Sequence, residues 1–356
     1  NADTPGAARK AVEFGAMGIG LCRTERMFND VDRLPIVVEM ILANTPEERE
    51  SALDRLKNMQ RKDFFEIFSV MSPRPVTVRL LDPPIHEFLP TEEVLKDELE
   101  HLRHLKTTVS GVTNLFSSLR LLNADLAIAD KSNAPFSLNG EELVEKAIEK
   151  KEQMLKKVRE LHEVNPMLGH RGVRLGLTFP EIYRMQIRAI LEAAADCIAA
   201  GTPIAPEIMV PQVCEAGELI RVKAFVDEIR QQIENVRNVK LSFKFGSMIE
   251  VVRACLAAEE LAGTAEFFSF GTNDLTQATF SFSREDAENK FLPFYTTNKI
   301  LKDNPFEVLD RKAMGKLMKM AVEDGRKTKK DLKVGICGEH GGHPESISFC
   351  HAIGLN

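Results

Sequence analysis

The chain lacks any run approaching the roughly 18 uncharged apolar residues that a membrane-spanning helix requires, which excludes a helical membrane protein. It also lacks a strong charge bias: 47 Lys and Arg stand against 53 Asp and Glu, a formal net charge of −6. Proteins that grip nucleic-acid phosphates show a marked basic excess, so that function class is excluded as well. Its six cysteines (Cys22, Cys197, Cys214, Cys255, Cys337, Cys350) include no CxxC pair and are too sparse for a disulfide scaffold. Reduced thiols are expected, and with them an intracellular, reducing compartment: the cytoplasm or an organelle such as a plastid or peroxisome. No signal or transit segment and no internal repeat is read within these residues, and targeting signals at either true end would lie outside them. The chain opens on Asn1 rather than Met and closes on the apolar Ala352-Ile353-Gly354-Leu355-Asn356, which reads as a piece of something longer.

What is present is a chain of 356 residues, 44% of them hydrophobic, enough for a large core in one or two domains. Helix and strand signals alternate. Thr45-Pro46-Glu47-Glu48 is a helix start, with a Thr cap, Pro at the first position and Glu three residues after the cap. That helix is expected to run toward Phe68, until Pro73 and Pro75 break it. Strands are expected over residues 76–81, 206–211, 241–249, 266–270 and 333–337. Helices are expected between them over 91–105, 180–200, 215–235, 251–262 and 311–329. Residues 107–140 lack a clean period but carry Leu115, Leu119, Leu121 and Leu122 and a polar stretch over 130–139, and a charged helix over 141–163 follows. This region reads as a helical insertion at 105–150. Strand–helix alternation implies a parallel sheet covered by helices and leaves the doubly wound and barrel forms open.

The chemistry gathers at strand ends. Arg79 and Asp82 come at the exit of the 76–81 strand, Glu250 at the exit of the 241–249 strand, Asn273 and Asp274 after the 266–270 strand, and Cys337, Glu339 and His340 after Lys333-Val334-Gly335-Ile336. In a parallel barrel these ends meet at one face, where active sites lie. Alternatively, each polar residue merely starts a solvated loop. Glu250 and Asp274 suit a hard divalent cation, which accepts one or two carboxylates plus substrate oxygens and water; the plain alternative makes each a helix cap. Arg23, Arg79, Arg171 and Arg174 stand beside glycines or in apolar strands, where a guanidinium is costly unless paired and where its fork suits carboxylate or phosphate. Internal ion pairs, Arg23 with Glu25 or Arg79 with Asp82, are the alternative. Cys337 lies among glycines beside Glu339 and His340, where a thiol exchanges a proton with substrate or simply fills a small buried space, as Cys197 and Cys255 are expected to do.

Four stretches together resemble a known family. They are Gly18-Ile19-Gly20-Leu21-Cys22-Arg23-Thr24-Glu25-Arg26-Met27-Phe28, Val78-Arg79-Leu80-Leu81-Asp82-Pro83-Pro84-Ile85-His86-Glu87-Phe88, Phe268-Ser269-Phe270-Gly271-Thr272-Asn273-Asp274-Leu275-Thr276-Gln277 and Gly335-Ile336-Cys337-Gly338-Glu339-His340-Gly341-Gly342. The chain resembles the carboxy-terminal domain of the pyruvate, phosphate dikinase family, within the wider phosphoenolpyruvate-utilising enzymes. Residues 105–150 lie outside the resemblance.

The resemblance implies an α/β fold, a (β/α)8 TIM barrel truncated at both ends, spanning 1–356 as one pyruvate/phosphoenolpyruvate-binding domain. It implies Mg2+ held by Glu250 and Asp274. Arg23, Arg79 and Arg171 would grip the phosphoryl group, with Arg174 a weaker candidate. Gly271, Thr272 and Asn273 would hold the substrate, and Cys337 would be the general acid/base at the methyl carbon. The phosphoryl group would pass to or from a phosphohistidine on a swivelling domain, charged by an ATP-grasp domain of the same full-length chain, in a homodimer. The whole reaction would be ATP + pyruvate + phosphate giving AMP + phosphoenolpyruvate + diphosphate. A phosphoenolpyruvate synthase-like domain, an aldolase-type lyase using a metal-held enolate and a catalytically silent scaffold are the competing readings.

Overall fold

Six parallel strands run in sequence order across one sheet: β1 (Ile19–Arg23), β2 (Pro75–Arg79), β3 (Ala205–Val210), β4 (Lys244–Ile249), β5 (Phe267–Gly271) and β6 (Lys333–Cys337). The structure is a computed structural model that describes residues 1–43, 45–125 and 139–356. The chain divides into two compact units, one of Asn1–Met40, Thr45–Pro84 and Asn165–Asn356, the other of Ile41–Asn44 and Ile85–Val164.

In the first unit the sheet curls. Lys333 on β6 reaches Glu207 on β3, its Nζ 2.7 and 2.9 Å from the two carboxylate oxygens. In a flat sheet those strands would lie three spacings, roughly 14 Å, apart, beyond a lysine's reach. Side chains alternate across a strand, so Thr77 and Arg79, Glu207 and Met209, and Lys333 and Cys337 share the concave face. Leu21, Met209, Met248, Phe267 and Cys337 from five strands form one buried cluster there. The architecture is a mixed α/β, six-stranded half-barrel, consistent with a truncated TIM barrel.

Helices cover the convex face. The Thr45 hydroxyl accepts from the Glu48 N–H at 3.2 Å and starts the helix Pro46–Met71, which buries Leu53, Leu56, Phe64, Ile67 and Phe68. Each such apolar side chain contributes roughly 1.5–3 kcal/mol. Helix Pro180–Ala199 packs beside it, and helix Ala216–Arg237 follows with the Glu215/Glu218 capping box at its start.

Several expected bounds change: the 91–105 helix extends as Glu92–Asp125, and the 311–329 helix starts at Met314. Residues 251–262 form two short helices, Val252–Leu256 and Ala258–Leu261, rather than one. The 241–249 strand starts only at Lys244. Residues 19–23, with glycines on both sides of Ile19, form a strand that was not among the expected ones.

The second unit is built on helices Glu92–Asp125 and Asn139–Leu161. Leu95, Leu99, Ile148 and Met154 are buried, and Arg103–Glu152 and Arg159–Glu92 pairs at 2.8 and 2.9 Å link the two helices. The polar stretch expected over 130–139 falls outside the described residues except for Asn139, and the side chains of Leu115, Leu119, Leu121 and Leu122 also fall outside them. No helix among the described residues is long and apolar enough to cross a membrane.

Candidate functional site

The strand register aligns the carboxyl ends. Arg23 pairs with Arg79 across β1 and β2, and Gly271 with Cys337 across β5 and β6. The expected residues therefore converge at the carboxyl end of the half-barrel, joined by residues from the ends of β1 and β3.

Asp82 is the hub. Its carboxylate takes Arg79 at 2.8 Å and both Arg171 Nη2 at 2.5 Å and Nε at 3.2 Å. Burial works to raise the Asp82 pKa, but the guanidinium groups of Arg79 and Arg171 outweigh it and hold the carboxyl below its usual range. Both arginines are in turn held more firmly charged: burial opposes their charge, and the surrounding carboxylates overcome it. Arg79 also bonds Glu25 and is 8% exposed, yet its Nε and the Glu25 Oε2 have no partner. Arg171 extends Nη1 to Asp274 at 3.2 Å. Arg23 is half-buried; its N–H donates to Asp3 at 2.8 Å, and its guanidinium lies 3.8 Å from the same carboxylate. Of the two internal ion pairs weighed as the alternative to anion binding, Arg79–Asp82 is present, whereas Arg23 pairs with Asp3 rather than Glu25. Arg174 donates to the main-chain oxygens of Gly169, at 2.7 Å, and Leu168, at 3.3 Å, which is a loop-bracing role.

Glu250 is not a helix cap: Val251 holds that position, and Asp274 lies inside the first turn of helix Thr272–Phe280. The two carboxyls stand at the ends of neighbouring strands, β4 and β5, and the charge of Asp274 acts on Glu250. Burial first, then the neighbouring carboxylates, pushes Glu250 well above the usual range; burial raises Asp274 too, against the pull of Arg171. Glu250 Oε1 accepts the Gln212 N–H at 2.7 Å. Its Oε2 lies where a Cβ on Gly271 would stand, 2.5 Å away, so that strand end must be glycine. A Cβ on Gly338, whose φ is +105°, would fall 2.8 Å from Thr272 Oγ1 and 3.1 Å from Asn273 Oδ1, and the Thr272 hydroxyl donates to the Cys337 carbonyl at 3.2 Å. The segment 271–274 is thereby fixed against the end of β6.

Cys337 is buried, and burial pushes its thiol up to about 11, with Ser269, Arg79 and Arg23 pulling down and Glu250 pushing up. Its Sγ donates toward the Phe270 carbonyl at 3.5 Å. The residues beside it in sequence turn elsewhere: Glu339 forks onto Arg284 at 2.8 and 2.7 Å, and His340 bonds the Pro305 carbonyl at 3.0 Å. All six cysteines are free, and Cys197 and Cys255 are buried as expected.

Two contributions went unread in the sequence. One is Ser269 on β5, which pulls the Cys337 thiol pKa down against burial. The other is Gln212, just past β3; the strand-end argument applied to Met209-Val210-Pro211-Gln212 would have found it. Among the described residues no group of three or more His, Cys, Asp or Glu is arranged to hold a metal ion. The Glu250–Asp274 pair is instead a two-carboxylate donor set that leaves further positions to other oxygens.

The profile described as PEP-utilising enzyme, PEP-binding domain matches residues 1–356. Among curated relatives, the pyruvate, phosphate dikinase of Entamoeba histolytica is 52% identical over the whole chain, which covers 36% of that protein. Pyruvate, phosphate dikinase 2 of Oryza sativa is 46% identical, with 35% of it covered, and the enzyme of Clostridium symbiosum 44%, with 36% covered. The chain spans about a third of the length of these relatives. A barrel-like sheet with its charged residues gathered at the strand ends, a match along the entire chain and these identities have one meaning: the chain belongs to the PEP-utilising enzymes, as their PEP-binding domain.

Proposed function

We propose that this chain is the pyruvate/phosphoenolpyruvate domain of a pyruvate, phosphate dikinase, exchanging a phosphoryl group with a phosphohistidine on a swivelling domain that an ATP-grasp domain charges. In this reading 1–356 is one substrate domain with 105–150 inserted in it, and the full-length enzyme is a homodimer. The observation that carries it is the meeting of Arg79, Arg171, Glu250, Asp274 and Cys337 at one end of the strands.

Glu250 and Asp274 would hold Mg2+. Two buried carboxyls at neighbouring strand ends, Glu250 with its pKa raised and so with a proton to give up, suit a hard cation that keeps its other positions for substrate and water. When bound, the ion supplies Lewis-acid stabilisation of negative charge on substrate oxygens.

The rest follows from the chain's own groups. Arg79, Arg171 and Arg23 offer donors to the phosphoryl oxygens as charge builds in transfer. The main chain at Gly271 and the side chains of Thr272 and Asn273 orient the three-carbon ligand. In the direction of pyruvate, the phosphorus–oxygen bond of phosphoenolpyruvate breaks as the histidine nitrogen takes the phosphoryl group, leaving the enolate of pyruvate. The Cys337 proton then moves to the methylene carbon, and solvent restores the thiol. A thiol pushed to about 11 is fully protonated at neutrality, which suits this acid role. In reverse, Arg79 and Arg23 favour the thiolate that removes the methyl proton.

Calorimetric titration of the full-length protein with oxalate, a mimic of the enolate, tests the reading. Oxalate should bind with Mg2+ present and not without it. No binding in either condition would remove the proposal. Phosphate-dependent formation of phosphoenolpyruvate from ATP and pyruvate would separate a dikinase from a synthase.

A further inference from the structure

Gln212 has a committed main chain and an idle side chain. It follows β3, between the end of β2, which carries Arg79 and Asp82, and the end of β4, which carries Glu250. Its φ is 59°, left-handed for a residue that is not glycine, a conformation that costs an ordinary side chain roughly 1–2 kcal/mol. Two contacts hold it there. The Gln212 N–H donates to Glu250 Oε1 at 2.7 Å, and the preceding Pro211 carbonyl accepts the Val173 N–H at 3.1 Å. Gly172 presses on it from above: a Cβ at Gly172 would lie 2.6 Å from the Gln212 Cβ. The start of the side chain is thus fixed from both sides.

The amide nitrogen at its end is unused. Gln212 is 3% exposed, and its Nε2 is buried with no hydrogen-bond partner. An unmet buried donor costs roughly 1–3 kcal/mol, and such groups are few in folded proteins. A leucine would occupy similar space without that penalty. Packing therefore does not account for an amide here. The surroundings do: one bond away stands Glu250, and beyond it the cluster of Arg79, Arg171 and Asp274. A neutral N–H donor at the same strand ends as two guanidinium groups matches an oxygen of a small anion.

We propose that Gln212 is a further substrate contact, its Nε2 donating to an oxyanion oxygen of the bound ligand, while its main-chain N–H orients Glu250. This rests on the reading above of the site as one for a small three-carbon anion. The contact makes Gln212 a specificity residue, favouring ligands that present an oxygen there over isosteres that present a methyl or methylene group.

The test compares Gln212→Leu and Gln212→Glu with the unaltered full-length protein. Binding of oxalate and of phosphoenolpyruvate is titrated, each with Mg2+, and the thermal midpoint is measured without ligand. Both variants keep the main-chain N–H to Glu250. Gln212→Leu should weaken binding roughly 5- to 100-fold and leave the unliganded midpoint unchanged or higher. Gln212→Glu, which brings a like charge to the oxyanion, should weaken binding further. Loss for both ligands assigns the acceptor to a carboxylate oxygen; loss for phosphoenolpyruvate alone assigns it to the phosphoryl group. Equal binding by Gln212→Leu, or a loss accompanied by a lower unliganded midpoint, would overturn the contact while leaving the site reading intact. If the unaltered protein binds neither ligand, both fall.

Discussion

The two ends of the half-barrel interior use the same side-chain chemistry to opposite ends. At the amino end, Glu207 meets Lys333 at 2.7 and 2.9 Å and the Thr77 hydroxyl at 2.7 Å, and no atom of the three is buried without a partner. At the carboxyl end, charges crowd more densely, yet Arg79 Nε, Glu25 Oε2 and Gln212 Nε2 remain buried and unmatched. A polar cluster that satisfies itself holds strands together. One that leaves donors and acceptors open is arranged for something else to complete it. Substitutions at the carboxyl end should therefore harm ligand handling more than folding, and those at the amino end the reverse.

The largest expected effect is at the carboxyl end. Cys337→Ala should reduce pyruvate formation by the full-length enzyme by about 10²- to 10⁴-fold, the range supplied by a positioned general acid. Binding of oxalate with Mg2+ should stay near the unaltered level, because the thiol donates only to a main-chain carbonyl in the resting site. Unimpaired turnover by this variant would remove the thiol from the mechanism and blur the contrast between the two ends.

At the amino end the expected loss is in folding. Glu207→Ala leaves Lys333 and Thr77 without their shared acceptor. Because the lysine side chain is about a third exposed, at 36%, water takes over part of that role. A loss of about 1–3 kcal/mol in unfolding free energy is expected, with oxalate affinity unchanged in the folded fraction. A variant that unfolds no more easily but binds oxalate weakly would reverse the comparison. A smaller loss, about 1 kcal/mol, is expected for Arg174→Ala, which removes donors from two main-chain oxygens at a half-exposed loop. Chemical denaturation measures both.

Much of this contrast could be read from the sequence, and the limits are physical. Helix starts are local: Thr45 and the Glu three residues after it are visible in a four-residue window, and the cap forms at 3.2 Å. Strand ends are nearly as local, so Arg79, Glu250, Asp274 and Cys337 could be picked out before their convergence was known. Partner choice is not local. Arg23 turns to Asp3 and Glu25 to Arg79, because the β1–β2 register sets the two arginines side by side. The helix expected over 251–262 breaks at Ala257, which an apolar period does not reveal. Gln212 escaped because its left-handed main chain is held by Gly172 from a distant loop and its orphaned amide exists only in three dimensions.

The finest effect concerns the Glu250–Asp274 pair as the solution becomes less acid. Glu250 is held above its ordinary range by burial and by the carboxylates of Asp274 and Asp82, so the folded, unliganded site keeps a proton that the unfolded chain releases earlier. Stability must then fall as pH climbs from the ordinary carboxylate range toward the raised value, because the unfolded state binds fewer protons over that window. Glu250→Gln removes this loss. Without ligand, the variant should melt higher than the unaltered protein near neutrality and no higher in mild acid, while losing Mg2+-dependent oxalate binding at both. Divalent-ion binding would have the same linkage with the opposite sign: it needs Glu250 deprotonated, so apparent affinity should climb with pH in the unaltered protein and each binding event should release a proton measurable in buffers of different ionisation enthalpy. A midpoint difference that persists unchanged into acid would mean that the Glu250–Asp274 pair holds no extra proton, and that the carboxyl end is as self-satisfied as the amino end.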